Sequence, residues 1–198
     1  MDDRDIRWQA VERAYREHAD DVYRVALSIL RDPDAAVDVT HDTFARAFDK
    51  WHQYDANRPL RAWLHGIASH AALDALRRRR VRTMAVPAIA RIREAHGEAL
   101  FGVDPASGVA DRALVADAMA DLRPEARAAL VLRHAYGYDY AEIARFLRTS
   151  PGNVGSILSR AHGALRARLI DEARTGPTDR VEDVTDAAAP APAARRPR

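Results

Sequence analysis

An all-α chain is the fold class this sequence predicts: two small helical domains joined by a flexible linker, the second containing a helix-turn-helix. Three observations predict it. Apolar residues recur at steps of three and four nearly everywhere, and the alternation of a half-buried strand is scarce. Cap signals (Asp or Ser before Pro, or Asp with an acid three residues on) stand in front of several periodic runs. Between two such blocks, Pro87, Gly97, Gly102, Pro105 and Gly108 break the pattern.

The first block spans 6–82. Val11, Tyr15, His18, Val22, Ala26 and Ile29 form one helical stripe. Asp32-Pro33-Asp34 then starts a second helix: Asp caps, Pro fits the first helical position, and the next acid complements the dipole. Its stripe is Val37, His41, Phe44, Phe48 and Trp51. After the break at 54–59, a third helix carries Leu60, Trp63, Leu64, Ile67 and Ala71 into an arginine run. Residues 83–110 read as a linker holding one short helix from Ile89 to Leu100. The second block, 111–173, opens with Leu114, Ala118, Met119 and Leu122, followed by a helix from Pro124 to His134. Asp139 caps a short helix, Tyr140 to Leu147, with Glu142 as its capping-box partner. Ser150-Pro151 begins a longer helix with the stripe Val154, Ile157, Leu158, Ala161, Leu165 and Leu169. The Ala, Pro, Thr and Asp of 174–198 offer nothing to pack and predict a disordered tail.

Composition removes several functions. The 198 residues include no cysteine, so disulfides, thiolate metal sites and cysteine nucleophiles are excluded. The acidic start and the lack of an apolar run of roughly 20 residues argue against a signal peptide or a membrane span. A cytoplasmic protein without membrane insertion is expected. No HExxH, phosphate-cradling glycine loop or serine elbow is present, so no catalytic residue, cofactor or metal is assigned and an enzyme is not expected. Formal net charge is only +2, yet positive charge is almost all arginine, with Lys50 the sole lysine, and it bunches at Arg77, Arg78, Arg79 and Arg80. Arginine's planar fork suits phosphate.

The unit from Tyr140 to Leu169 is short helix, tight turn, long helix, the geometry in which the second helix enters a major groove. Thr149, Ser150, Gly152, Asn153, Ser156 and Arg160 fall at the turn and on the face away from the stripe. Asn can pair with an adenine edge, and Arg with guanine or phosphate. A plain helical hairpin with a polar outside is the bland explanation. Gly155 and Gly163, each weakening a helix by roughly 1 kcal/mol relative to Ala, suit close approach to a DNA backbone better than a structural helix.

In the first block, Trp51, Tyr54 and Trp63 accompany Arg58, Arg61 and the arginine run. Aromatic faces beside cations can hold unstacked bases. Trp51 and Trp63 lie on apolar stripes and read as core when taken alone; Tyr54 and Arg61 lie off them. The arginine run alone reads as a solvated helix end complementing the dipole.

Both blocks resemble one family in the right order. Asp34 to Phe44, Arg58-Pro59-Leu60-Arg61-Ala62-Trp63-Leu64, Ile67-Ala68-Ser69-His70 and Asp74 to Arg79 resemble region two of the extracytoplasmic-function sigma factors of bacterial RNA polymerase. Tyr140-Ala141-Glu142-Ile143-Ala144 and Ser150-Pro151-Gly152-Asn153-Val154 resemble region four. The resemblance implies a subunit that binds core polymerase and directs promoter-specific initiation. Asp38, His41, Asp42 and Phe44 would dock on clamp helices of the largest subunit. Tyr54, Asp55, Arg58, Arg61, Trp63, His70, Asp74 and Arg77 to Arg80 would capture and melt the minus-ten element. Region four would read the minus-thirty-five element, and an anti-sigma protein would be a further partner. His41 stands where glutamine is common and His70 where asparagine is. Gly155, Ile157 and His162 replace residues that are commonly basic, which predicts weaker duplex binding with a flatter salt dependence. Two alternatives remain at this point: a stand-alone dimeric helix-turn-helix regulator, and a sigma-like interaction protein that reads DNA poorly.

Overall fold

The computed structural model describes residues 2–85, 115 and 117–174. The expected linker helix at 89–100, most of the linker and residues 175–198 of the tail lie outside the described residues. Among the described residues six α-helices carry the architecture: α1 (Asp3–Leu30), α2 (Pro33–Asp49), α3 (Leu60–Ala85), α4 (Pro124–His134), α5 (Tyr140–Leu147) and α6 (Pro151–Arg174). A single 3-10 turn, Trp51–Gln53, follows α2, and a helical turn at 117–120 precedes α4. No strand occurs among the described residues.

Local chemistry sets the boundaries. Arg31, at φ 52°, ends α1 in the left-handed region and returns its N–H to the Leu27 carbonyl. Asp32 caps α2 by accepting from the Ala35 amide at 3.1 Å, with Pro33 at the first position. Asp139 and Glu142 form the expected capping box of α5, and Ser150 Oγ accepts from the Asn153 amide at the start of α6.

Helices α1, α2 and α3 pack as a three-helix unit around Val22, Val25, Ile29, Leu64 and Ala68, all buried. On α2 the expected stripe is displaced. Val37 is 43% exposed and His41 is exposed, while Ala36, Val39, Thr40, Thr43, Phe44 and Ala47 are buried. Two threonines can occupy that face because their hydroxyls donate to carbonyls of their own helix, Thr40 to Ala36 at 2.8 Å and Thr43 to Val39 at 2.7 Å. Tyr15 is likewise 41% exposed, its ring edge-on to Phe44 at 4.8 Å.

The two blocks expected as separate domains share one continuous apolar core. Arg127 of α4, only 6% exposed, is the central polar contact between them. Its Nε donates to the Ser28 carbonyl at 2.9 Å and its Nη2 to the Ile29 carbonyl at 3.1 Å, both in the last turn of α1. Its Nη1 donates to the Leu122 carbonyl. A helix C-terminus presents unpaired carbonyls and a partial negative charge, which a buried guanidinium satisfies. Burial nonetheless draws the Arg127 pKa down to about 10, with Arg31 adding to the effect, so it stays charged at neutral pH. A second contact joins the blocks: the Tyr138 hydroxyl meets His65 Nδ1 at 3.0 Å. Phe146 of α5 lies on Gly66 of α3, where a Cβ would sit 3.3 Å from its ring; glycine permits that approach.

Candidate nucleic-acid and polymerase interface

The loop between the 3-10 turn and α3 is ordered by its own side chains. The Tyr54 hydroxyl donates to the Arg58 carbonyl at 2.8 Å, and Asp55 Oδ1 accepts from both the amide and the side chain of Asn57 at 3.0 Å. The Arg58 guanidinium stands 3.7 Å from Asp55. Behind the loop Trp51, Tyr54 and Trp63 pack ring against ring, with centroids 5.2 to 6.0 Å apart. Trp51 and Trp63 are thus half-buried, neither core nor free surface. The result is a rigid aromatic platform flanked by the exposed Arg58 and Arg61.

This platform forms one wall of a groove that continues over Ile67 and His70 of α3; Arg145 and Phe146 of α5 form the other. His70 Nε2 contacts the Arg145 carbonyl at 3.1 Å. Burial, assisted by Arg148, holds the His70 pKa below its ordinary value despite that carbonyl. Asp74 pairs with Arg77 at 2.7 Å and with Arg148 at 3.4 Å. Arg61 lies over the Tyr136 ring at 5.6 Å. His70, Asp74 and Arg61 are therefore brought together with the expected site, but all three are engaged by the second block.

The arginine run is not at a helix end. Helix α3 continues to Ala85, a full turn beyond Arg80, so the dipole explanation of the cluster loses force. Arg77, Arg78 and Arg79 are exposed, and Arg79 donates to Asp32 at 3.1 Å; the side chain of Arg80 lies outside the described residues.

On α2, Asp38, His41 and Asp42 present an exposed face, whereas Phe44 is buried beneath Tyr15 and supports that face from below. On α6, Gly152, Asn153, Ser156 and Arg160 form an exposed strip. Its side chains are tied locally: Asn153 Nδ2 donates to Thr149 Oγ1 at 2.7 Å, Ser156 Oγ to the Gly152 carbonyl at 3.2 Å and Arg160 Nε to the Ser156 carbonyl at 3.1 Å. A Cβ at Gly155 would make ordinary contact with Tyr140 at 3.5 Å, and one at Gly163 would meet nothing within 4 Å. Intramolecular packing therefore requires neither glycine.

Residues 14–82 match the sigma-70 region 2 family model and residues 112–165 the sigma-70 region 4 model. The ECF RNA polymerase sigma factor SigL of Mycobacterium tuberculosis (strain ATCC 25618 / H37Rv) is 33% identical over 156 residues, covering 78% of this chain and 86% of SigL. The chain belongs to the extracytoplasmic-function sigma factors. SigM of Bacillus subtilis (strain 168) is 28% identical over 158 residues, 79% of this chain and 93% of SigM. The fold is also that of the sigma factor RpoE in its complex with the anti-sigma factor NepR from Bartonella quintana, with a TM-score of 0.66, 22% identity and coverage of 80% of this chain and 96% of RpoE. CnrH in complex with the cytosolic domain of CnrY gives a TM-score of 0.56 at 24% identity, over 86% of this chain and 98% of that one.

As a sigma factor the chain directs promoter-specific initiation by RNA polymerase. The stand-alone regulator reading leaves the region 2 match unexplained and is set aside. Sequence reasoning missed the residues that join the two regions. Neither Arg127 nor Arg148 was singled out, although Arg127 precedes Val131 by one helical turn on the buried face of α4. No helix among the described residues is long and apolar enough to cross a membrane.

Proposed function

We propose that residues 6–82 hold core polymerase and open the minus-ten element, and that residues 111–173 read the minus-thirty-five element as duplex. Asp38, His41 and Asp42 form the exposed face for the clamp helices of the largest subunit, with Phe44 shaping it from beneath. The aromatic platform of Trp51, Tyr54 and Trp63 receives unstacked bases, Arg58 and Arg61 take phosphate, and the arginines of α3 extend the cationic track. No group acts on a bond: strand separation draws on binding energy, with no cofactor. The factor works where the polymerase is, in the cytoplasm.

The observation that carries this reading is the loop at 54–59, held by its own side chains, set against the ring cluster and beside exposed arginines. In the arrangement described, α5 covers His70 and Asp74. Promoter DNA reaches that end of the groove only once region 4 lifts away. By the same logic an anti-sigma protein that holds region 4 in place is a fitting partner, and one fold neighbour, RpoE, was determined with the anti-sigma factor NepR.

Permanganate reactivity of thymines in promoter complexes tests the assignment. Trp63→Ala and Arg61→Ala holoenzymes should lose minus-ten reactivity while still co-eluting with core polymerase. Full reactivity in both variants contradicts it. A second reading, a polymerase-bound factor with poor duplex readout, is favoured by the α6 strip, where Arg160 is the one cation among Gly152, Asn153, Ser156 and Arg160. The salt slope of duplex binding separates the two.

A further inference from the structure

Asn153 is the third residue of α6 and lies exposed on its polar strip. The first turn of a recognition helix is where base edges are met. The main chain of Asn153 is held by Ser150, whose Oγ accepts from the Asn153 amide at 3.2 Å. The side chain is held as well, because its Nδ2 donates to Thr149 Oγ1 at 2.7 Å. Among the described residues no other hydrogen bond restrains that side-chain amide.

The acceptor is itself fixed. Thr149 follows Arg148, whose left-handed backbone at φ 53° ends α5, and the Thr149 amide donates to the Ala144 carbonyl at 2.9 Å. Helix α5 is seated in the core through Ile143, Ala144, Phe146 and Leu147, all buried. Thr149 is half-buried, and a β-branched side chain has few χ1 rotamers. An asparagine amide, by contrast, turns about a broad, roughly two-fold terminal torsion, so its oxygen and nitrogen exchange places at little cost. One hydrogen bond to a fixed hydroxyl sets which of them is where.

The chemistry of the bases makes that orientation matter. In the major groove adenine offers an acceptor, N7, beside a donor, N6–H; guanine offers two acceptors, and a pyrimidine a single polar group. Asparagine reads adenine with Oδ1 and one N–H, which leaves its second N–H spare. We propose that Thr149 is a positioning residue that takes this spare N–H, so that Asn153 presents Oδ1 and its other N–H in one order and selects adenine at one position of the minus-thirty-five element. Thr149 acts through Asn153 and makes no base contact of its own. This deepens the assignment of residues 111–173 to duplex reading and rests on it. Holding one side chain in its binding geometry is worth about fivefold in affinity.

The test reconstitutes holoenzyme from core polymerase and the full chain, then sequences the DNA it retains from a promoter library randomised across the minus-thirty-five region. The wild type should prefer adenine at one position by roughly tenfold to a hundredfold, and Asn153→Ala should lose that preference alone. Thr149→Val keeps the β-branch and removes the hydroxyl. It should weaken the same preference about fivefold, leave other positions unchanged and keep the slope of log affinity against log salt. Thr149→Ser should restore the wild-type preference, and the double variant Thr149→Val/Asn153→Ala should match Asn153→Ala. A further loss in the double variant would put Thr149 on the DNA itself and overturn the proposal, as would a base other than adenine at the Asn153-dependent position. A preference that needs Asn153 but survives Thr149→Val in full removes the proposal alone. A wild type with no preference across the region removes the duplex-reading assignment and the proposal with it.

Discussion

Replacing Arg127 by methionine keeps the aliphatic stem and removes the guanidinium that joins the last turn of α1 to α4. Three carbonyls lose a charged donor: Ser28 at 2.9 Å, Ile29 at 3.1 Å and Leu122. A buried acceptor left without a partner costs about 1–3 kcal/mol, and more than one is stranded here. Part of that cost is offset because a charge, disfavoured enough by burial to lower its pKa to about 10, no longer has to be desolvated. A net loss of about 3 kcal/mol follows. For a chain of this size, that corresponds to about 6–12 °C in melting temperature, followed by circular dichroism. The contact joins residues 99 positions apart, so the effect should also appear as a separation between the two regions. The chain has no native cysteine, so Asp20→Cys and Arg166→Cys can carry spin labels without background. Dipolar distances should be narrow in the parent and long or broad in Arg127→Met. A variant that melts with the parent and keeps its narrow distance would refute the role given to Arg127.

Three further outcomes follow from the same geometry. His65 is fully buried and burial, then Arg61 and His18, push its pKa down to about 3; the unfolded chain therefore takes up a proton below about pH 6.5 that the folded chain refuses. Stability falls as pH drops through that window, by about 1.4 kcal/mol per pH unit, or about 2 kcal/mol between pH 7 and pH 5. Urea unfolding of His65→Phe should show a slope smaller by that amount, and equal slopes would contradict it. Gly163→Ala should stabilise the chain by about 1 kcal/mol, since the added methyl meets nothing within 4 Å and relieves a helical glycine; an unchanged denaturation midpoint would show that the glycine costs nothing in place. Arg160→Ala should lower the slope of log affinity against log salt for duplex binding by about one, and an unaltered slope removes Arg160 from the phosphate contacts.

Much of this fold was legible because its signals are local. The Asp139–Glu142 capping box, Pro124 at the start of α4 and Ser150-Pro151 at the start of α6 each act within one helical turn, and the helices begin where those residues stand. The α2 stripe was misread for a physical reason: Thr40 and Thr43 satisfy their hydroxyls on their own helix and so can be buried, while Val37 is left in solvent. The joining of the two blocks was not legible at all. Arg127 with Ser28, Tyr138 with His65, and Arg148 with Asp74 are pairs separated by a long stretch of chain, and no periodicity encodes them. Of the candidate site, the aromatics and arginines around 54–63 were legible as a group. That the loop is held by Tyr54 and Asp55, and that Arg145 of α5 and Arg148 just after it engage His70 and Asp74, required the three-dimensional arrangement.

The most direct test of the central claim is run-off transcription with purified core polymerase on a library of genomic promoter fragments. Addition of this chain should yield discrete transcripts whose upstream sequences share elements near minus ten and minus thirty-five, and Trp63→Ala should abolish them while the complex with core persists. A chain that neither co-elutes with core polymerase nor yields promoter-specific transcripts would contradict the account.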